Sequence, residues 1–298
     1  MTEPILFIIN GHAGGGTSGR KAPEVIAGLR STYSDLRESW TEGPGHATEI
    51  SRAAWADGVR HFVAVGGDGT AYEVLNGLFP IVGDDRPTLG FLPLGTGNSF
   101  VRDFGVTDTA GAIASLRAQS SSRCDVIRAT HDAGEFYYIN LCSIGFSAKA
   151  GDLTNRRFKR LGESGYIAAV LITWARLSHP VHPVRLDGGA WDRRPSVLLS
   201  FSNSGYTGGT MNMAPGADVA DGRLDVIRVG ELSRPRFLAT FPKLFAGTHT
   251  SAPDISHQTA KVVEFDLDEP VDCMVDGEVF RVRLRRLEVM PAALRVML

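Results

Sequence analysis

The first 92 residues alternate between short apolar runs and stretches of helical period, and few folds accept that alternation. ILFII (5–9), LRESW (36–40), HFVAV (61–65) and TLGFL (88–92) are separated by patterns that predict helices near 18–30, near 46–57 and from 71 onward. A chain that repeats strand and helix in this way lays its strands side by side as a parallel sheet and covers the faces with helices. After about residue 124 the rhythm changes. CDVIRAT and FYYINLCS flank a turn-like HDAGE, a helical stretch is predicted over roughly 152–177, and RPSVLLSFS, RLDVIRVG, KVVEFDL and VDCMVDGEVFRVRL read as strands joined by turns. The expected fold class is therefore α/β followed by mainly-β. There is no internal repeat, low-complexity segment or flexible linker.

A chain of 298 residues has room for two domains of ordinary size. Its 31 basic and 33 acidic residues leave a formal charge of -2, so no global field draws it to nucleic acid, and no nucleic-acid partner is expected. Cys124, Cys142 and Cys273 form no C-x-x-C pair, which predicts small buried thiols in a reducing compartment rather than a disulfide framework or a zinc site. The start, MTEPILFIING, lacks the basic residues and the long apolar run of a signal peptide, and a cytoplasmic protein is expected. IAAVLITWA (167–175) falls far short of the roughly 20 apolar residues that span a bilayer, so a lipid partner would be met at a membrane surface, peripherally. A homo-oligomer is compatible with this composition.

Glycine punctuates the strand ends. In VAVGGDGTAYEVLNGL (63–78), Thr70 reads as an N-cap, Glu73 as its capping-box partner, and Ala71, Val74, Leu75 and Leu78 as one helical face. Gly66, Gly67, Asp68 and Gly69 then lie between a buried strand and a helix start, where main-chain N–H groups and the positive end of the helix dipole suit phosphate oxygens. LGFLPLGTGNSFVRDFG (89–105) repeats the arrangement one strand later, and two such loops at neighbouring strand ends suggest a nucleotide clamp. The third cluster, NGHAGGGTSGRK (10–21), matches G-x-G-x-x-G at Gly14, Gly16 and Gly19, but Gly14 comes five residues after Ile9, too late for a dinucleotide fingerprint. Arg20 occupies the place of a Walker A lysine, so both a plain loop and one that closes over phosphates stay open. His179 and His182, flanking Pro180, read as surface residues.

GGDGT followed by E-x-x-N-G (66–77, with Glu73 and Asn76), then LGTGNSFVRDFG, then a late VDGE (275–278) resembles the diacylglycerol kinase catalytic family, which includes bacterial soluble lipid kinases and sphingosine kinases. GGDGT alone is shared with NAD kinases and phosphofructokinases; the three motifs in this order are more specific. The resemblance covers nearly the whole chain. It implies an NAD kinase-like α/β nucleotide-binding domain (1–123 plus 285–298), a β-sandwich lipid-substrate domain (124–284) and an active site in the cleft between them. It further implies that Asn10 and Gly11 with the loop that follows, Thr41 of TEGPGHA, the segment from Gly66 to Thr70, Glu73, Asn76, and Gly95, Thr96, Gly97 and Asn98 form the ATP-binding set. Asp276 would be the base for the lipid hydroxyl, and Glu278 would assist at the nucleotide. A structural Mg²⁺ site is implied in APGADVADGRLDV (214–226), with Asp221 supplying a carboxylate and Asp218 and Arg223 mainly main-chain oxygens. Gly11 departs from the family, which has proline there.

The residue types suit phosphoryl transfer, which asks for alignment and charge neutralisation through Mg²⁺ and main-chain donors. Asp68 is expected to hold Mg²⁺ directly or through water, and Asp276 to accept the hydroxyl proton. TNRRFKRLGESGYIAAVLITWARL (154–177) sets Arg156, Arg157, Lys159 and Arg160 ahead of an apolar stretch, a composition that can rest on an anionic membrane. The expected activity is an ATP-dependent lipid kinase acting on a lipid alcohol, diacylglycerol first among them; the alternatives are an NAD kinase-like enzyme with a soluble substrate, or a non-catalytic nucleotide or lipid sensor.

Overall fold

The computed structural model describes residues 3–154, 157 and 162–298. The chain divides into two compact units, one of residues 1–126 with 290–298 and the other of residues 127–289.

The first unit is built by strand and helix in turn: β1 (Ile5–Ile9), α1 (Ala13–Leu29), β2 (Leu36–Trp40), α2 (His46–Ala56), β3 (His61–Gly66), α3 (Asp68–Leu78), β4 (Thr88–Pro93) and α4 (Thr109–Ala118). β1 lies between β2 and β3, and β3 continues to β4, all parallel, with Ile5 opposite Leu36 and His61 and with Thr88 opposite His61. β1 is buried along its whole length because helices cover both faces of a parallel sheet, whereas the edge strand β2 keeps one residue fully buried. The chain end closes the other side: Arg295, Val296 and Met297 pair in parallel with Thr88, Leu89 and Gly90. Met297 then joins a core of Ile5, Phe7, Ile26, Val63 and Leu92. Tyr33 sits in that core and donates its hydroxyl to the Leu116 carbonyl at 2.5 Å, and burial pushes its pKa up to about 12.

The second unit is antiparallel. It takes up the end of β5 (Ser122–His131) and continues through β6 (Gly134–Tyr138), β7 (Leu141–Gly145), α5 (Phe146–Leu153), α6 (Gly162–Ala175), β8 (Val184–Leu186), β9 (Leu198–Ser202), β10 (Tyr206–Thr207), β11 (Met211–Asn212), β12 (Leu224–Val229), α7 (Arg234–Thr240), β13 (Ile255–Ala260), β14 (Val262–Phe265), β15 (Val271–Val275), β16 (Glu278–Val282) and β17 (Leu284–Met297). Six of these strands form a sheet in the order β13, β12, β9, β7, β15, β16. β14 pairs with β8 and with the first half of β17. Phe146, Val197, Ile227 and Phe237 are part of the core against which α5, α6 and α7 pack.

Four local expectations are corrected. α3 begins at Asp68 with Gly67 as its N-cap, so Thr70 lies inside the first turn and is not the cap. FYYINLCS is two strands, because Ile139 and Asn140 leave the ladder to bond elsewhere. The helical stretch expected over 152–177 is two helices, the first starting at Phe146; Arg156, Lys159 and Arg160 of the expected basic run lie outside the described residues, and Arg157 is exposed. His182 is buried, 7% exposed, rather than at the surface. All three cysteines are buried and free, as expected, yet Cys142 and Cys273, far apart in sequence, bring their Sγ atoms to 3.1 Å across β7 and β15.

Candidate functional site

In the α/β unit three glycine loops meet at the carboxyl ends of β1, β3 and β4. Gly66 ends β3, and its carbonyl accepts both Leu94 N–H at 2.9 Å and Gly95 N–H at 2.8 Å, which ties the second loop to the first. The two then touch through backbone alone: a Cβ on Gly95 would lie 2.4 Å from Gly67 Cα. The loop after β1 joins them, since a Cβ on Gly14 would fall 2.5 Å from the Leu94 carbonyl oxygen, and Gly14, Gly15 and Gly16 all hold positive φ. Three consecutive left-handed residues are open to glycine at little steric cost.

Side chains hold these loops in register. Asn10 accepts the His12 N–H at 3.1 Å and donates to Thr70 Oγ1 at 3.4 Å. The Asp68 carboxylate accepts Ser99 N–H through both oxygens at 3.0 and 3.1 Å, and Phe100 N–H at 3.4 Å, so it bridges the start of α3 to the turn beyond GTGN. Burial raises the pKa of Asp68, against the pull of those N–H donors. Asn98, at φ 49°, donates to the Gly95 carbonyl at 2.8 Å. Thr96 is exposed at the tip of the same loop and Gly97 half-buried beside it.

Glu73 reaches out of its own helix. Its carboxylate accepts Gly45 N–H at 2.9 Å and Ala47 N–H at 3.1 Å, capping α2 where that helix has no side-chain cap of its own. It thereby orders TEGPGHA, the segment that carries Thr41, whose N–H bonds to the Ile9 carbonyl at 2.9 Å. Asn76 donates to the Tyr72 carbonyl at 2.8 Å within α3. Gly11, in the place of the family's proline, gives its carbonyl to Gly19 N–H at 3.1 Å.

In the β unit, Asp276 and Gly277 form the two-residue turn between β15 and β16, with φ of 47° and 93°, as the primed hairpin turns require. Asp276 is 5% exposed. Its Oδ1 accepts Leu141 N–H at 3.0 Å and its Oδ2 accepts Ile139 N–H at 3.4 Å. Behind that segment stand residues the sequence reading did not single out. Asn203 donates Nδ2 to the Ile139 carbonyl at 2.8 Å, Asn203 and Ser204 give their N–H groups to the Asn140 carbonyl, and the Ser204 hydroxyl bonds to Asn140 Oδ1. The signal was a pair of asparagines, in YINLC and FSNSG, each at the end of an apolar strand pattern. Glu278 is exposed at the start of β16.

Asp218 and Asp221 lie exposed in one loop, each accepting an N–H two residues on, from Ala220 at 2.9 Å and Arg223 at 2.8 Å. The Arg223 guanidinium turns to Thr259 and, at 3.7 Å, to Asp187. Among the described residues no three His, Cys, Asp or Glu side chains converge as a metal cluster. The two exposed carboxylates, Asp218 and Asp221, suit a cation that keeps most of its water, as Mg²⁺ does.

Comparison with known proteins gives the class first. Residues 4–129 match the diacylglycerol kinase catalytic domain, and residues 140–298 match the YegS C-terminal NAD kinase beta sandwich-like domain, so the chain is a kinase built as an α/β domain followed by a β-sandwich domain. A diacylglycerol kinase of Mycobacterium tuberculosis is 30% identical over 296 residues, 98% of this chain and 94% of that one. A probable lipid kinase YegS-like protein of Chromohalobacter salexigens is 29% identical over 263 residues, 87% of this chain and 82% of that one. The chain belongs to the diacylglycerol kinase family of lipid kinases. Among solved structures, a diacylglycerol kinase of Bacillus anthracis str. Sterne matches with a TM-score of 0.74 at 22% identity, covering 99% of this chain and 96% of that one. Yeast NADH kinase matches with a TM-score of 0.52 at 11% identity, covering 99% and 83%. At these identities the likeness is one of fold.

Proposed function

We propose that this lipid kinase transfers the γ-phosphate of ATP to the hydroxyl of a lipid alcohol, with diacylglycerol as acceptor and phosphatidic acid as product. The observation that carries the reading is the backbone-to-backbone meeting of the three glycine loops, which concentrates main-chain N–H donors and a helix start where a polyphosphate needs them. Asn10, Gly11, the segment from Gly66 to Thr70, and Gly95 to Asn98 line that nucleotide site; Thr41 and Glu73 border it, Asn76 supports it from α3, and Glu278 is a further residue of nucleotide binding.

Asp276 is the general base. As the new O–P bond forms and the bond from the γ-phosphorus to the bridging oxygen breaks, Asp276 takes the hydroxyl proton and ADP leaves with the bridging oxygen. The two main-chain N–H groups on its carboxylate fix its direction and leave lone pairs for that proton. Mg²⁺, when bound, neutralises charge on the phosphates; Asp68 would face it through water while keeping the Ser99 N–H, and Asp221 with main-chain oxygens of Asp218 and Arg223 would hold a structural ion. The acceptor is met at the cytoplasmic membrane surface, where the protein is a transient peripheral visitor.

Transfer from labelled Mg-ATP to a panel of lipid alcohols in mixed micelles, with NAD as soluble comparison, tests the reading. Label on diacylglycerol that vanishes in Asp276→Asn supports it. Label on NAD, or an Asp276→Asn enzyme as fast as the natural one, overturns it.

A further inference from the structure

α6 is apolar in composition, yet over residues 168–175 it is covered on only one side. From Ser164 to Ala175 it carries no charged residue. Ala169, Val170 and Thr173 are buried, while Leu171 is 51% and Ile172 36% exposed. A helix that is hydrophobic all round belongs either in a core or against an apolar medium. Next to it, α7 and the 3-10 turn after it expose Leu238 (44%) and Phe245 (51%). A groove of about 700 Å³ joins the two, lined by Trp174, Leu177, Leu232, Arg234 and Leu238.

This face is tied to the core behind it. The Trp174 indole N–H is satisfied by the Arg234 carbonyl at 3.0 Å, so its ring is free to meet apolar groups. Phe245 stands at the end of a run of rings, Phe146 to Phe237 to Phe241 to Phe245, with centroids 4.6, 5.9 and 6.0 Å apart, that reaches back into the core. Residues 168–177 and 232–245 contain Arg176, Arg234, Arg236 and Lys243 and no acidic residue. Arg236 is engaged with Asp254 at 2.6 Å. Arg176, Arg234 and Lys243 are exposed.

We propose that this face, made by α6, α7 and the 3-10 turn Phe241–Leu244, is a docking surface for an anionic bilayer. Large exposed apolar side chains with a basic border match the boundary between acyl chains and negative headgroups. A second copy fits less well, because a two-fold interface would set the patch against itself and bring these cations onto one another. The choice of a bilayer rests on the lipid-kinase reading; the surface itself does not.

The experiment is vesicle sedimentation of the full chain and of Leu171→Glu/Leu238→Glu, using phosphatidylcholine vesicles with and without phosphatidylglycerol. A thermal melt checks that the variant is folded. The natural protein should sediment with the anionic vesicles, and the double variant should lose about tenfold or more in partitioning. Its phosphorylation of a short-chain, water-soluble diacylglycerol should stay unchanged. As a second readout, bromolipid quenching of tryptophan emission should fall in Trp174→Phe. Equal sedimentation of both proteins, quenching unaffected by Trp174→Phe, or concentration-dependent dimers that the double variant abolishes would overturn the proposal. Vesicle binding without phosphorylation of any acceptor would instead sink the kinase reading and leave the docking surface standing.

Discussion

Gly95 and Gly67 touch backbone to backbone: a Cβ built on Gly95 would stand 2.4 Å from Gly67 Cα and 2.8 Å from its nitrogen. Neither atom belongs to a side chain that can swing aside, so Gly95→Ala must push the two glycine loops apart. We expect a loss of about 2 kcal/mol in urea unfolding and weaker ATP binding by calorimetry. Gly43→Ala, which adds its Cβ to open space, is the comparison and should change stability by less than about 0.5 kcal/mol. Equal stability of the two variants would mean that the loops do not depend on this contact.

Glu73 caps a helix other than its own. Glu73→Ala should cost about 1 kcal/mol, the usual worth of a helix cap, and should raise hydrogen exchange at Gly45 and Ala47 while α3 keeps its protection. Faster exchange throughout α3 would show that Glu73 supports its own helix instead.

Asn203 holds the Ile139 carbonyl, and the Ile139 N–H faces Asp276 Oδ2. Asn203→Ala therefore frees the segment that aims the proposed base. The expected result is a fall in kcat of about ten- to a hundredfold, as small misplacements of catalytic groups produce, with the KM for ATP unchanged. Loss of folded protein with full kcat per folded molecule would reduce Asn203 to a purely structural part.

His182 gives the fold an acid limit. Burial first, and then Lys149 and Arg228, lower its pKa from 6.5 to about 4, so the folded state resists a proton that the unfolded chain accepts. The stability it lends is fully present above pH 6.5 and is lost as pH falls toward 4, by about 3 kcal/mol in all. Denaturant midpoints between pH 7 and 4 should fall accordingly, and His182→Gln should flatten that slope. A slope unchanged in the variant would place the acid sensitivity elsewhere.

Much of this architecture was legible in the residues themselves. The β-to-α alternation, the glycine loops at strand ends and the antiparallel second half all follow from local period and turn chemistry, which act over a few neighbouring residues. The errors share a cause. Thr70 with Glu73 has the spacing of a capping box, but the strand delivers Gly67 as the cap and the Glu73 side chain finds the bare start of α2 instead. Asp68 is not among these errors: the bond of its carboxylate to Ser99, 31 positions away, is an addition that no local pattern shows.

Hydrophobic period and glycine conformation are properties of adjacent residues, so the residues alone set which elements form and where the chain must bend. Which side chains serve which backbone is settled by the packed fold. Gly67 against Gly95, Glu73 on α2 and the Asn203 bracket behind Asp276 each join residues separated by 26 or more positions. Hydrogen bonds and close packing act through space within a few ångströms, so these partners are set by how the strands are ordered and registered, which no local pattern encodes.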